Sequence, residues 1–179
     1  KVAYEFYKKH PKETLIVVTA DHETGGIALG TGKYALNLKA LENQKASAEV
    51  LSKKISDLRK AKNNHVAWED IKNLLSEEMG FWSVLPITWE QEKKLRDEYE
   101  KSFVRNKVEF AESMYAKTEP MAAKAKEVMD QIAMVGWTSG GHSAGYVPVF
   151  AIGAGSDLFI GKMDNTEIPK RIAKAGGYK

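Results

Sequence analysis

An α/β fold with a large helical insertion is predicted by three features of this 179-residue chain. The first is the apolar run Leu15-Ile16-Val17-Val18 between Thr14 and Thr19, which reads as a strand buried on both faces of a parallel sheet. The second is a charge-rich stretch, residues 33–135, in which apolar side chains recur at helical spacing. The third is a return to glycine-rich loops and a strand-like run, Tyr146 to Ile152, within residues 136–179. The division expected is an α/β core made of residues 1–32 and 136–179, with residues 33–135 inserted.

Each element has a local reason. A helix tail from Val2 to Lys9 ends at His10-Pro11, and the buried strand follows. A short strand is expected around Ile27–Leu29, after which Gly30-Thr31-Gly32 punctuates the chain. Ser47 can cap a helix that carries Leu51, Ile55 and Leu58 on one face. A second helix, about 67–79, aligns Trp68, Ile71 and Leu75 and stops at Gly80. Thr88 with Gln91 forms a capping box that opens a long helix with Leu95, Tyr99 and Phe103 in register. Another helix starts near Thr118, has Pro120 in its first turn, and aligns Met121, Ala125, Val128, Ile132 and Val135 before Gly136 ends it.

Such amphipathic helices need a partner surface. The sheet face that carries the site is the surface expected, with the insertion serving as a lid or as a dimer contact. Phe81-Trp82-Ser83-Val84-Leu85-Pro86-Ile87 is the most apolar irregular stretch. It is expected to plug into the core, an exposed contact patch being the other role open to it.

Composition excludes several functions. Hydrophobic residues at 43% and charged residues at 28% are ordinary globular values. With no cysteine there is neither a disulfide nor a thiolate metal site. A formal net charge of +3, scattered along the helices, implies no nucleic-acid surface. No apolar segment approaches the roughly 20 residues that span a membrane.

The chemistry concentrates in Ala20-Asp21-His22-Glu23-Thr24-Gly25-Gly26, directly after the first strand. In open α/β sheets, ligands bind at the carboxyl ends of strands. A carboxylate and an imidazole emerging together there can turn toward one cation, with donors suited to zinc. The two glycines let the backbone turn back sharply. Asp21 and His22 are therefore candidate metal ligands, and Glu23 either orients a ligand or faces solvent.

The segment Thr19–Gly26 resembles the alkaline phosphatase family, whose members carry strand-T-A-D-H-x-T-G-G as a zinc-binding element. Gly136-Trp137-Thr138-Ser139-Gly140-Gly141-His142-Ser143-Ala144-Gly145, followed by Val147 to Gly153, is similar to that family's histidine loop ahead of a core strand. Asp157-Leu158-Phe159 and Asp164 to Ile168 look like the family's last strand and the entry to its terminal helix. The resemblance covers about residues 1–32 and 136–175.

It implies Asp21 and His22 on one zinc and His142 on another, with a magnesium site nearby. It also implies a Ser or Thr nucleophile that attacks a phosphate monoester and forms a phospho-enzyme, later hydrolysed by water. The family also needs a Glu and an Asp-x-x-x-His element shortly upstream of the T-A-D-H strand, and neither Asp-x-x-x-His nor a D-S-[AT] nucleophile site occurs in this chain. The chain is thus expected to be the C-terminal part of a larger enzyme, inactive alone, with incomplete zinc and magnesium sites. The resemblance further implies a periplasmic or secreted location. An open sheet edge would invite pairing, and with it a homodimer.

Two other readings compete with this one. Gly141-His142-Ser143-Ala144-Gly145 fits the G-x-S-x-G nucleophile elbow. An elbow needs a strand before the serine, a helix after it and a later histidine, and the sequence has none of these. The other reading is a non-catalytic helical interaction module on a degenerate α/β base, which would also lack a nucleophile. His10 and His65 are expected in structural turns, and Asp157 and Asp164 as turn residues rather than ligands.

Overall fold

The computed structural model describes residues 1–32, 34–112 and 117–178. The described chain is mixed α/β, mostly helical, with small sheets. In order it runs α1 (Val2–Lys9), β1 (Leu15–Val18), β2 (Ile27–Leu29), α2 (Ala48–Ala61), α3 (Trp68–Met79) and α4 (Trp89–Tyr99). Then come β3 (Ala111–Glu112), β4 (Lys117–Thr118), α5 (Pro120–Ala133), β5 (Val135–Trp137), β6 (Phe150–Gly153) and α6 (Glu167–Ala175). Two compact units result: Lys1–Thr24 with His142–Lys179, and Gly25–Gly141.

In the helical unit the capping signals act as their chemistry requires. Ser47 accepts from the Val50 N–H, and Thr88 and Gln91 form a reciprocal capping box. Gly80 ends α3 in the left-handed conformation at φ 71°. Leu51, Ile55, Ile71, Leu75, Leu95 and Met121 lie in one buried cluster, which Phe81 and Leu85 enter from the loop after α3. That loop plugs into the core as expected, with Val84 left exposed. Phe103 is buried beyond α4, where the chain continues as a π-helical turn from Glu100 to Val104.

α5 opens with Pro120 in its first turn as expected and departs from its predicted bounds at its C-terminal end. Glu119 caps it, its carboxylate accepting from the N–H groups of Met121 and Ala122. Met134, not Gly136, breaks it, with left-handed φ of 58°. Val135 and Gly136 then pass into β5, antiparallel to β2, so Val135 is buried from a strand and not from the helical stripe.

In the α/β unit β1 pairs antiparallel with β6, from Leu15 opposite Gly153 to Val18 opposite Phe150. This corrects the expectation of a strand buried on both faces of a parallel sheet. Among the described residues the sheet has only two strands, so β1 is partly covered and Val18 is 56% exposed. An unbroken apolar run shows only what a strand can tolerate on both faces, not which neighbours it has. The strand-like run from Tyr146 narrows to Phe150–Gly153, and Asp157–Phe159 lie in a 3-10 turn rather than a strand. α6 opens at Glu167, directly after a turn in which Asp164 accepts from the N–H and hydroxyl of Thr166.

Candidate metal centre

β1 ends at Val18, and Thr19-Ala20 lead directly into Asp21 and His22. The main-chain N–H of His22 donates to Asp21 Oδ1 at 3.1 Å, and Asp21 Oδ2 lies 3.6 Å from His22 Nε2. His22 Nδ1 is 2.6 Å from the main-chain oxygen of Glu23. A carbonyl oxygen can only accept, so Nδ1 is the donor in this contact, and in the tautomer protonated only there Nε2 holds the lone pair. A ligating histidine is commonly held this way, its second nitrogen bonded to a carbonyl. The Asp21 side chain is 87% exposed and that of His22 40%, so both donors are open to a solute.

His142 comes to the same place from the loop ahead of β6. Its ring stacks on that of His22, with centroids 3.4 Å apart and planes inclined by 23°. The next residue contributes its backbone: the Ser143 N–H donates to Glu23 Oε2 at 2.6 Å. The Ser143 hydroxyl accepts from the Gly145 N–H at 3.3 Å, a local turn contact, and no helix follows it as a nucleophile elbow would need. All three sequence-predicted ligands thus lie within the α/β unit, and His22 and His142 are in contact.

The glycines after Thr24 have the conformations their role demands. Gly25 and Gly26 have φ of 71° and 60°, and a Cβ on Gly26 would fall 2.0 Å from Thr138 Oγ1. In the helical unit the Gly25 carbonyl accepts from the N–H of Thr138 at 2.9 Å and from its hydroxyl at 3.1 Å.

Two donors 3.6 Å apart can share a zinc ion with bonds of about 2.0–2.2 Å to each. Asp21 and His22 therefore fit zinc as part of a ligand set. Among the described residues no group of three or more His, Asp or Glu side chains is placed to hold a metal, so the set is not complete there. The other candidates stay outside it. His10 stacks on Phe6, and the His65 N–H closes a turn onto the Lys62 carbonyl. Asp164 serves the Thr166 turn. What sequence reasoning did not find is that Glu23 binds through both its carbonyl and its carboxylate. Nothing in the spacing of positions 23 and 143 signals that contact.

A strand end that presents an oxygen donor and an imidazole, with a second imidazole beside it, belongs to an α/β protein whose side chains could hold part of a divalent-metal site. The chain belongs to the alkaline phosphatase family, whose model matches residues 1–178. It is similar to Alkaline phosphatase 3 of Bacillus subtilis (strain 168), with 32% identity over 189 residues, covering 99% of this chain and 33% of the relative. Alkaline phosphatase 4 of the same organism is 28% identical over 175 residues, covering 97% of this chain and 32% of the relative.

Among solved structures, the cold-active alkaline phosphatase of a psychrophilic Shewanella species matches with a TM-score of 0.65 and 25% identity, over 98% of this chain and 37% of that one. The Thermus thermophilus alkaline phosphatase matches in fold with a TM-score of 0.63 and 22% identity, over 99% and 37% respectively. The chain spans about a third of the length of the curated relatives it matches.

Proposed function

We propose that this chain is the C-terminal portion of a zinc-dependent alkaline phosphatase that hydrolyses phosphate monoesters. Asp21 and His22 would hold one zinc ion and His142 a second. The observation that carries this reading is the His22 ring, its Nδ1 engaged by a carbonyl and its Nε2 left beside Asp21. The stack of His142 on His22, with ring centroids 3.4 Å apart, brings the third candidate donor to the same place.

Bound zinc supplies Lewis-acid polarisation of phosphate oxygens and a lowered pKa for an attacking hydroxyl. This chain's residues hold the donors at the strand end and orient their lone pairs. Neither a D-S-[AT] nucleophile site nor Asp-x-x-x-His occurs in its sequence. We assign the nucleophile, the remaining zinc ligands and the magnesium ligands to the portion of the relatives' length that this chain does not span. The same reading takes residues 33–135 as an insertion into the α/β core, and includes a periplasmic or secreted enzyme and a homodimer.

The test has two arms. The chain alone should bind zinc weakly by calorimetry, lose that binding in Asp21→Ala and His22→Ala, and show no turnover of p-nitrophenyl phosphate. In the longer enzyme, Asp21→Ala should lower turnover by on the order of 100-fold or more, because losing a ligand exceeds the cost of losing a supporting residue. Full turnover in that variant would remove Asp21 from the site, whereas no turnover by the unchanged longer protein would favour a non-catalytic helical module.

A further inference from the structure

We infer that Glu23 is the positioning residue that joins the two ligand loops, setting the His22 tautomer with its carbonyl and holding the His142 loop with its carboxylate. The inference rests on the reading of Asp21, His22 and His142 as metal ligands, and adds a residue that the ligand motif leaves as a variable position.

Three observations carry it. The Glu23 carbonyl oxygen is 2.6 Å from His22 Nδ1, so the peptide at Glu23 decides which imidazole nitrogen is free. The Glu23 carboxylate accepts the Ser143 N–H at 2.6 Å, and Ser143 follows the stacked His142 directly. A main-chain donor on a carboxylate makes a charge-assisted bond, stronger than a neutral one. The third observation is the space left for this side chain. A Cβ on Gly145 would stand 3.2 Å from Glu23 Cγ and 3.2 Å from Ser143 Oγ, so the loop is cut away where the glutamate lies along it.

The consequence is mechanical. Residues 22 and 142 are far apart in sequence, and each lies in an irregular loop rather than a strand or helix. Loop positions are less well held than strand or helix positions unless something ties them. Glu23 supplies a tie at each end, but any residue at 23 keeps the carbonyl, so a change in its side chain releases the His142 loop, moves His142 against the stacked His22 ring and leaves the carbonyl contact to His22 in place.

The experiment compares Glu23→Ala, Glu23→Gln and Gly145→Ala with the unchanged 179-residue chain, first without metal. Amide hydrogen exchange at Ser143 should accelerate about 10-fold or more in Glu23→Ala, the size of a lost charge-assisted bond. The ring-proton shifts of both His22 and His142 should move with it. Glu23→Gln keeps an oxygen acceptor and should restore most of the protection. Gly145→Ala should shift the same resonances in the same direction by less. A second readout is zinc affinity by calorimetry, expected to fall about 10- to 100-fold in Glu23→Ala.

Unchanged Ser143 exchange and unchanged histidine shifts in Glu23→Ala would overturn the inference. No zinc uptake by the unchanged chain would count against the ligand reading alone, because the amide readout needs no metal and still decides the role of Glu23.

Discussion

The helical unit holds every buried hydrophobic side chain among the described residues except Phe159, whereas the α/β unit holds the candidate ligands and almost no core. The helices enclose a continuous cluster from Ala40 to Met129, with Ile55, Ile71, Leu75 and Val128 fully buried. In the α/β unit, Val18 and Phe150 face each other across the β1–β6 pair, and both are exposed. Core burial and the candidate ligands therefore lie in different parts of one chain. Among the described residues the candidate ligand loops flank a two-stranded sheet with little core to hold it, and a lone pair of strands is marginally stable in water.

The strongest way to break this comparison is to separate the units. Residues 25–141 produced alone should give a helical far-UV spectrum and a single cooperative urea transition. Residues 1–24 joined by a flexible linker to 142–179 should give no cooperative transition, because one buried hydrophobic side chain cannot offset the cost of ordering the chain. A cooperative transition in the second polypeptide would mean that β1, β6 and α6 hold together by contacts other than core burial.

Paired truncations sharpen the same point within the whole chain. Phe81 is fully buried in the helical cluster, and Phe81→Ala should cost about 3–5 kcal/mol in denaturant unfolding followed by helical circular dichroism. Phe159→Ala should leave that helical transition where it was. Equal shifts in the two variants would dissolve the distinction between the units.

A buried ion pair gives the next test. Glu119 Oε1 accepts from Arg59 Nη2 at 2.7 Å, and Oε2 caps α5 through the N–H groups of Met121 and Ala122. The side chains are 14% and 1% exposed for Arg59 and Glu119, so Glu119→Ala strands a buried guanidinium as well as uncapping a helix. The loss expected is about 3–5 kcal/mol by denaturant unfolding. Glu119→Gln keeps one oxygen acceptor for the cap and should lose less.

How much of this was legible depended on how local the determining interaction was. The caps at Ser47, Thr88 and Gly80 were readable because donor and acceptor lie within a few residues of each other. The helical stripes of α2, α3 and α4 were readable for the same reason, since one face repeats at a fixed interval. The end of α5 was not. Gly136 offers the usual stop signal, yet Met134 takes the left-handed turn and Val135 pairs in β5 opposite Leu29, a partner far away in sequence. The setting of β1 was not legible either, because Leu15–Val18 states tolerance for burial on two faces, while pairing partners are set elsewhere. At the site, residue types and a strand end brought Asp21, His22 and His142 forward. The link from Glu23 to the Ser143 N–H has no sequence signature, because any residue but proline offers that donor.

The smallest effect expected concerns pH, and it probes whether exposed ion pairs add anything to the helical unit beyond its core. Asp70 Oδ1 accepts from the Lys62 ammonium at 3.0 Å, and Oδ2 accepts from the Ala67 N–H at 3.0 Å. The Lys62 bond first, and the Ala67 bond with it, hold the Asp70 carboxyl below the usual aspartate range. A group whose pKa is lower in the folded chain binds its proton more readily when unfolded. Its contribution is therefore complete above the unfolded value of about 3.9 and is lost as pH falls through the folded value. Urea midpoints measured from pH 6 down to pH 3 should fall slightly less steeply in Asp70→Asn than in the unchanged chain. The difference should shrink in high salt, because the pair is screened by solvent. Identical slopes would show that Lys62–Asp70 adds nothing measurable and that the core alone sets the stability of this unit.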